Sequence, residues 1–167
     1  PDEVDRQYFR YWLGWTRRWP VRKRHRKMVK PKRYLIDTSV WVNLFRGDQE
    51  LRRRIDEATA QGIQIVTCEV IVMELLAGAR PHEDVRIFDL LNRLPSLPFN
   101  PNTDFRTAGF MYRELSQNGV TIRNSVDCVI AVAAMSSEDI VLIHNDLDFV
   151  NMARVNGIRH ERWEQAA

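Results

Sequence analysis

Four carboxylates in this 167-residue chain stand where they could do chemistry. Asp37 ends a short apolar run, Tyr34-Leu-Ile, and is followed by two hydroxyl residues, Thr38 and Ser39. Glu74 lies inside an apolar stretch, between Met73 and Leu75. Asp127 opens the most apolar helical segment, and Asp146, with Asp148 close by, follows the most apolar strand-like run. Each acid alone has an ordinary structural use. Asp37 and Asp127 could cap a helix or complement its dipole. Asp146 and Asp148 could shape a turn, and Glu74 could pair with Arg80. Together, four acids at matching junctions favour a shared site. Carboxylates gathered within a few Å cannot all ionise without a counter-charge. Oxygen donors select Mg²⁺ or Mn²⁺ over zinc. The chemistry such ions support is activation of a water for in-line attack on a phosphodiester.

The elements that would position these acids can be read from hydrophobic period and breakers. Strands are expected over 34–36, 63–67, 97–99, 140–143 and 158–163. Helices are expected over 40–45, 49–60, 69–79, 83–94, 103–117, 126–135 and 147–155, with Asn102 and Ser125 as caps. The predicted inward faces are Leu51, Ile55 and Ala58; then Val70, Met73 and Ala77; then Val85, Phe88, Leu91 and Leu94; then Phe105, Gly109, Tyr112 and Leu115. Strands alternate with helices and no hairpin signal appears, so the expected fold is α/β: a three-layer α/β/α sandwich with a mostly parallel central sheet. All strand C-termini then face one edge. Asp37 and Asp146 share it, and helices starting there bring Glu74 and Asp127 alongside.

Charge divides the chain. Residues 1–33 carry 12 Lys and Arg against three acids; residues 34–167 carry 13 Arg, no Lys and 19 acids. The sequence pI of about 9.1 therefore reflects only the N-terminal segment. An acidic body suits a protein that concentrates cations, not a generic basic nucleic-acid binder. Residues 1–31 form a basic, Trp-rich extension, expected to be disordered apart from a short helix over 4–13, or to be upstream sequence with Met28 as the true start. A nucleic-acid-binding arm is the competing reading. Thr16-Arg-Arg has no apolar segment after it, which excludes a twin-arginine signal. No apolar run approaches ~20 residues, so no membrane helix is expected. Cys68 and Cys128 lack metal-ligand spacing and read as reduced core thiols of a cytoplasmic protein. A Gly-rich phosphate loop, a Gly-flanked Ser nucleophile and a second Asp two residues after Asp37 are all missing, which argues against nucleotide, acyl-transfer and aspartyl-phosphate chemistry. The four histidines are scattered. His82 and His160 read as exposed, and His144 as a satisfied structural residue.

Four blocks carry a resemblance. Tyr34-Leu-Ile-Asp-Thr-Ser-Val-Trp-Val, Val72-Met-Glu-Leu-Leu-Ala-Gly-Ala-Arg80, Ser125-Val-Asp-Cys-Val-Ile-Ala-Val-Ala-Ala134 and Leu142-Ile-His-Asn-Asp-Leu-Asp-Phe149 resemble the blocks of PIN-domain proteins, in particular VapC-like toxin ribonucleases. The similarity spans residues 33–163, within a nuclease domain bounded at 32–165. It implies a Mg²⁺- or Mn²⁺-dependent endoribonuclease with Asp37, Glu74, Asp127 and Asp146 as metal ligands and catalytic acids. Thr38, Ser39 and Asp148 are the accessory residues. It also implies an RNA substrate (tRNA or rRNA), a cognate antitoxin and a homodimer. His144 departs from the resemblance, standing where the family often has Thr. The alternative is a non-catalytic PIN-like RNA-binding or assembly module. A structure-specific DNA nuclease of the same fold would want a larger chain.

Overall fold

The computed structural model describes residues 32–81 and 84–164. The expectations for residues 1–31, for His82 and for a helix start at Glu83 lie outside them. In chain order the elements are β1 (Arg33–Ile36), α1 (Thr38–Phe45), α2 (Gln49–Ala60), β2 (Gln64–Val66), α3 (Glu69–Ala77), α4 (Asp84–Leu91), α5 (Pro101–Gln117), α6 (Ser125–Ala134), β3 (Ile140–His144), α7 (Leu147–Asn156) and β4 (His160–Arg162). The four strands form one sheet in the order β2-β1-β3-β4, parallel throughout. Leu35 sits between Val66 and Leu142, and Ile36 beside Ile143. The three-layer α/β/α sandwich expected from the alternation is the observed one. The chain leaves β1 for β2 on one side and later returns to β3 on the other. The order thus reverses between β1 and β3, and in parallel sheets the crevice outside such a point is where ligands bind.

β3 is buried along its whole length, as a central parallel strand covered on both faces must be. Leu35, Ile36, Leu142 and Ile143 are inaccessible to solvent, and Trp41 of α1 and Phe149 of α7 join them in the core. At the N-terminal edge of the sheet Arg33 grips Asp139 with two hydrogen bonds, of 2.9 and 2.7 Å. Among the described residues no helix is long and apolar enough to cross a membrane.

Several local expectations are corrected. Residues 97–99 are not a strand: Thr67 and Ser96 make a single parallel bridge, with Leu97 N–H donating to the Thr67 carbonyl at 2.8 Å. Pro95 and Pro98 lack the N–H needed to extend it. Asn100, not Asn102, caps α5, which begins with Pro101 at its first position. Asn124, not Ser125, caps α6. Three inward faces were misphased. On α3 the buried residues are Val70, Ile71 and Leu75, while Met73 and Ala77 are exposed. On α4 Ile87 and Leu91 are buried and Val85 and Phe88 face out; on α5 Thr107, Ala108, Met111 and Leu115 are buried and Phe105 and Tyr112 face out. Apolar residues surround each of these helices, so period alone cannot choose the face that meets the sheet.

Candidate active site

Every acid singled out in the sequence lies at the C-terminal edge of the sheet or on a helix beside it. Asp37 leaves β1 with its N–H bound to the Ile143 carbonyl of β3 at 2.8 Å. Its Oδ2 accepts the Ser39 N–H at 2.9 Å and the Ser39 hydroxyl at 2.5 Å, which makes it the cap of α1. Ser39 Oγ in turn accepts the Asn145 N–H at 2.9 Å, tying the end of β1 to the loop after β3. Glu74, midway along α3, receives the Thr38 hydroxyl on Oε2 at 3.1 Å. Asp127 lies in the first turn of α6, and Asp146 caps α7 by accepting the Asp148 N–H at 2.9 Å. Asp37 thus has the capping role weighed for it; Asp146, weighed as a turn former, caps a helix as well; and Asp127 sits inside a helix that Asn124 caps.

These acids act on one another. Burial pushes the Asp37 carboxyl above the usual range, Ser39 opposes this, and Asp146 adds a repulsion. Glu74 is raised by burial and by Asp37, against the Thr38 hydrogen bond. Asp127 is pushed up to about 7 by burial and by the charges of Asp37, Asp146, Glu74 and Asp148. Its carboxylate has no hydrogen-bond partner among the described residues. The two thiols are unsuited to a soft-metal site: burial pushes Cys68 up to about 11 and Cys128 up to about 12, keeping both protonated. As the side chains stand, no three His, Cys, Asp or Glu residues among those described are arranged to hold an ion. The donor type still fits a hard divalent cation, since the crevice offers carboxyl and hydroxyl oxygens and one carboxyl left without a partner.

The PIN domain family model matches residues 34–155. The chain belongs to the PIN-domain family. It is 37% identical over 131 residues to VapC ribonuclease Mb1587 of Mycobacterium bovis, covering 75% of this chain and 95% of that protein. It is equally similar to Ribonuclease VapC11 of Mycobacterium tuberculosis. Among solved structures, VapBC2 from Rickettsia felis, bound to a DNA fragment, superposes with a TM-score of 0.64 at 22% identity over 79% of this chain and 99% of that one. DNA-bound VapBC from Salmonella typhimurium gives 0.61 at 24% over 82% and 100%. At those identities the structures testify to the fold alone.

Three residues of this PIN domain's crevice escaped the sequence reading. Arg123, four residues before Asp127, binds Asp146 and Asp148 together. A lone Arg in the loop ahead of the Asp127 helix is the only signal the sequence carries for it. Asn145 supplies the backbone link to Ser39. His160, expected to be exposed, is half-buried and hydrogen-bonded to His144 at 2.9 Å. His144 is buried and satisfied: its Nδ1 accepts the Asp146 N–H at 3.1 Å. Since a backbone N–H can only donate, His144 Nε2 carries the proton and donates to His160 Nδ1. The imidazole thus supplies an acceptor where the family often has a Thr hydroxyl.

Proposed function

We propose that this chain is a Mg²⁺- or Mn²⁺-dependent endoribonuclease, the toxin of a toxin–antitoxin pair, hydrolysing tRNA or rRNA phosphodiesters in the crevice between β1 and β3. The observation that carries this reading is Asp127, without a hydrogen-bond partner among the described residues and pushed up to about 7 by burial and by the charges of Asp37, Asp146, Glu74 and Asp148. The names of the 37%-identical relatives support it. A divalent ion held by Asp37, Glu74, Asp127 and Asp146 would supply the missing positive charge and activate a water against the phosphorus. The chain's own residues do the positioning. Ser39 fixes the Asp37 carboxylate through two donors to one oxygen. Thr38 orients Glu74. His144 holds the backbone from which Asp146 projects. Asp148 accepts the Arg123 N–H at 3.1 Å, fixing the loop ahead of α6.

Two surfaces suit the partners. A groove lined by Val42, Phe45, Arg46, Leu75 and Ile87 takes in Thr38 and Glu74 as well. An antitoxin segment seated there reaches the acids. The outward Phe105 and Tyr112 of α5 offer a face for a second copy of the chain. The decisive test is cleavage of cellular RNA with Mn²⁺ or Mg²⁺ and with chelator. Asp37→Asn and Asp127→Asn keep side-chain shape, and each should lower the cleavage rate by at least about 100-fold, the scale on which a lost, positioned electrostatic group is felt. Metal-independent cleavage, or full activity in both variants, sinks the mechanism. An intact protein that binds RNA without cutting it points instead to a binding module.

A further inference from the structure

Asp146 is already gripped by a cation of the chain itself. Arg123 Nη2 donates to both oxygens of Asp146, at 2.6 and 2.8 Å. Its Nε donates to Asp148 Oδ2 at 3.1 Å, and the same oxygen accepts the Arg123 backbone N–H at 3.1 Å. Asp146 Oδ1 also accepts the Asp148 N–H. One guanidinium therefore bridges the two acids of the α7 cap and loads both Asp146 oxygens. The two ends of this contact differ in exposure. Asp148 is buried and anchored, whereas the Arg123 side chain is 70% exposed and stands on the rim of the crevice. A contact of that kind is strong in geometry yet open to exchange, because water can replace the guanidinium as it leaves.

Of the four acids, Asp146 is the only one held by an Arg in the described structure; Asp37 and Glu74 take hydroxyl and amide donors. We propose that Arg123 is a positioning residue that holds Asp146 and Asp148 in a resting arrangement and competes with the divalent ion for Asp146. A cation entering the crevice then finds Asp37, Glu74 and Asp127 available and must displace Arg123 to gain the fourth carboxylate. This inference rests on the metal-dependent reading above and adds to it an internal rival for the ion.

The test is Mn²⁺ binding to the metal-stripped full chain, measured by calorimetry without RNA. Arg123→Gln should bind Mn²⁺ about tenfold more tightly than the parent, the scale on which neighbours of a metal ligand alter affinity. Arg123→Lys, which keeps the charge and loses the two-point grip, should fall between. Asp146→Asn added to Arg123→Gln should erase the gain. Arg162→Gln removes a nearby cation that pairs with Glu164 instead, and should leave affinity within about twofold of the parent. A purely structural role for Arg123 makes the opposite prediction, since loosening the loop weakens binding. Unchanged or weaker Mn²⁺ binding in Arg123→Gln, in a protein whose circular dichroism matches the parent, overturns the proposal. Absence of Mn²⁺ binding in the parent overturns the metal reading itself, and the two failures are thereby distinct.

Discussion

Two aspartates at opposite edges of one sheet show how environment decides what a carboxyl does. Asp139 accepts two bonds from Arg33 and one from the Ser137 hydroxyl, and its carboxyl lies well below the usual range. Asp127 pairs with no cation among the described residues, is desolvated and feels the charges of four other acids, and its carboxyl rises to about 7. A carboxyl raised in the folded state favours its neutral form. Its contribution to stability is present at pH below its ordinary value of 3.8 and is lost as pH rises through about 7. Asp127→Asn should therefore raise the melting temperature of the metal-free protein at pH 8, by the equivalent of about 1–2 kcal/mol after allowance for its partial exposure, and by roughly a third as much at pH 5, which lies inside the window between 3.8 and about 7 over which the loss accumulates. Scanning calorimetry at the two pH values reads this directly; equal or lower stability at pH 8 contradicts it. The acids were legible in the sequence because each interrupts an apolar period. Arg123 was not, because its loop has no period to interrupt.

At the scale of elements, the type of each helix was legible and the face it buries often was not. α2 carries many charges, so Leu51, Ile55 and Ala58 were the only possible inward stripe. α3, α4 and α5 offer apolar residues on several faces, and sheet packing selected a different one. The residues left outside are large: Met73, Val85, Phe88, Phe105 and Tyr112. Apolar surface gathered on outer helices is what association would cover. Tyr112→Glu on α5 should leave the melting temperature within about 0.5 kcal/mol of the parent, as for a surface substitution, yet shift the protein toward monomer in sedimentation velocity. A substitution that unfolds the chain, or a dimer that survives it, contradicts a homodimer through α5. Caps were misplaced by one or two residues because neighbouring Asn and Ser residues compete for the same role, and only backbone geometry picks between Asn100 and Asn102 or between Asn124 and Ser125.

Across the whole molecule, topology turns scattered residues into one site. Asp37 and Asp146 lie 109 positions apart yet flank the point where strand order reverses between β1 and β3. The alternation of strands and helices made that convergence readable before any contact was known, since parallel strands must end on one edge. Which imidazole would stand beside the acids was not readable, because His144 and His160 meet only through the pairing of β3 with β4. That pairing bears on the chemistry. Cleavage through the RNA 2′-hydroxyl commonly relies on an imidazole working near neutral pH. Here His144 is buried, engaged at both ring nitrogens and lowered to about 4 by burial and by His160. The acids remain, and they suit attack by water. The chemistry of the new RNA ends tests this most directly. RNA cut by the protein in Mn²⁺ should carry 5′-phosphate and 3′-hydroxyl ends; 2′,3′-cyclic phosphate and 5′-hydroxyl ends would contradict hydrolysis at the carboxylate crevice.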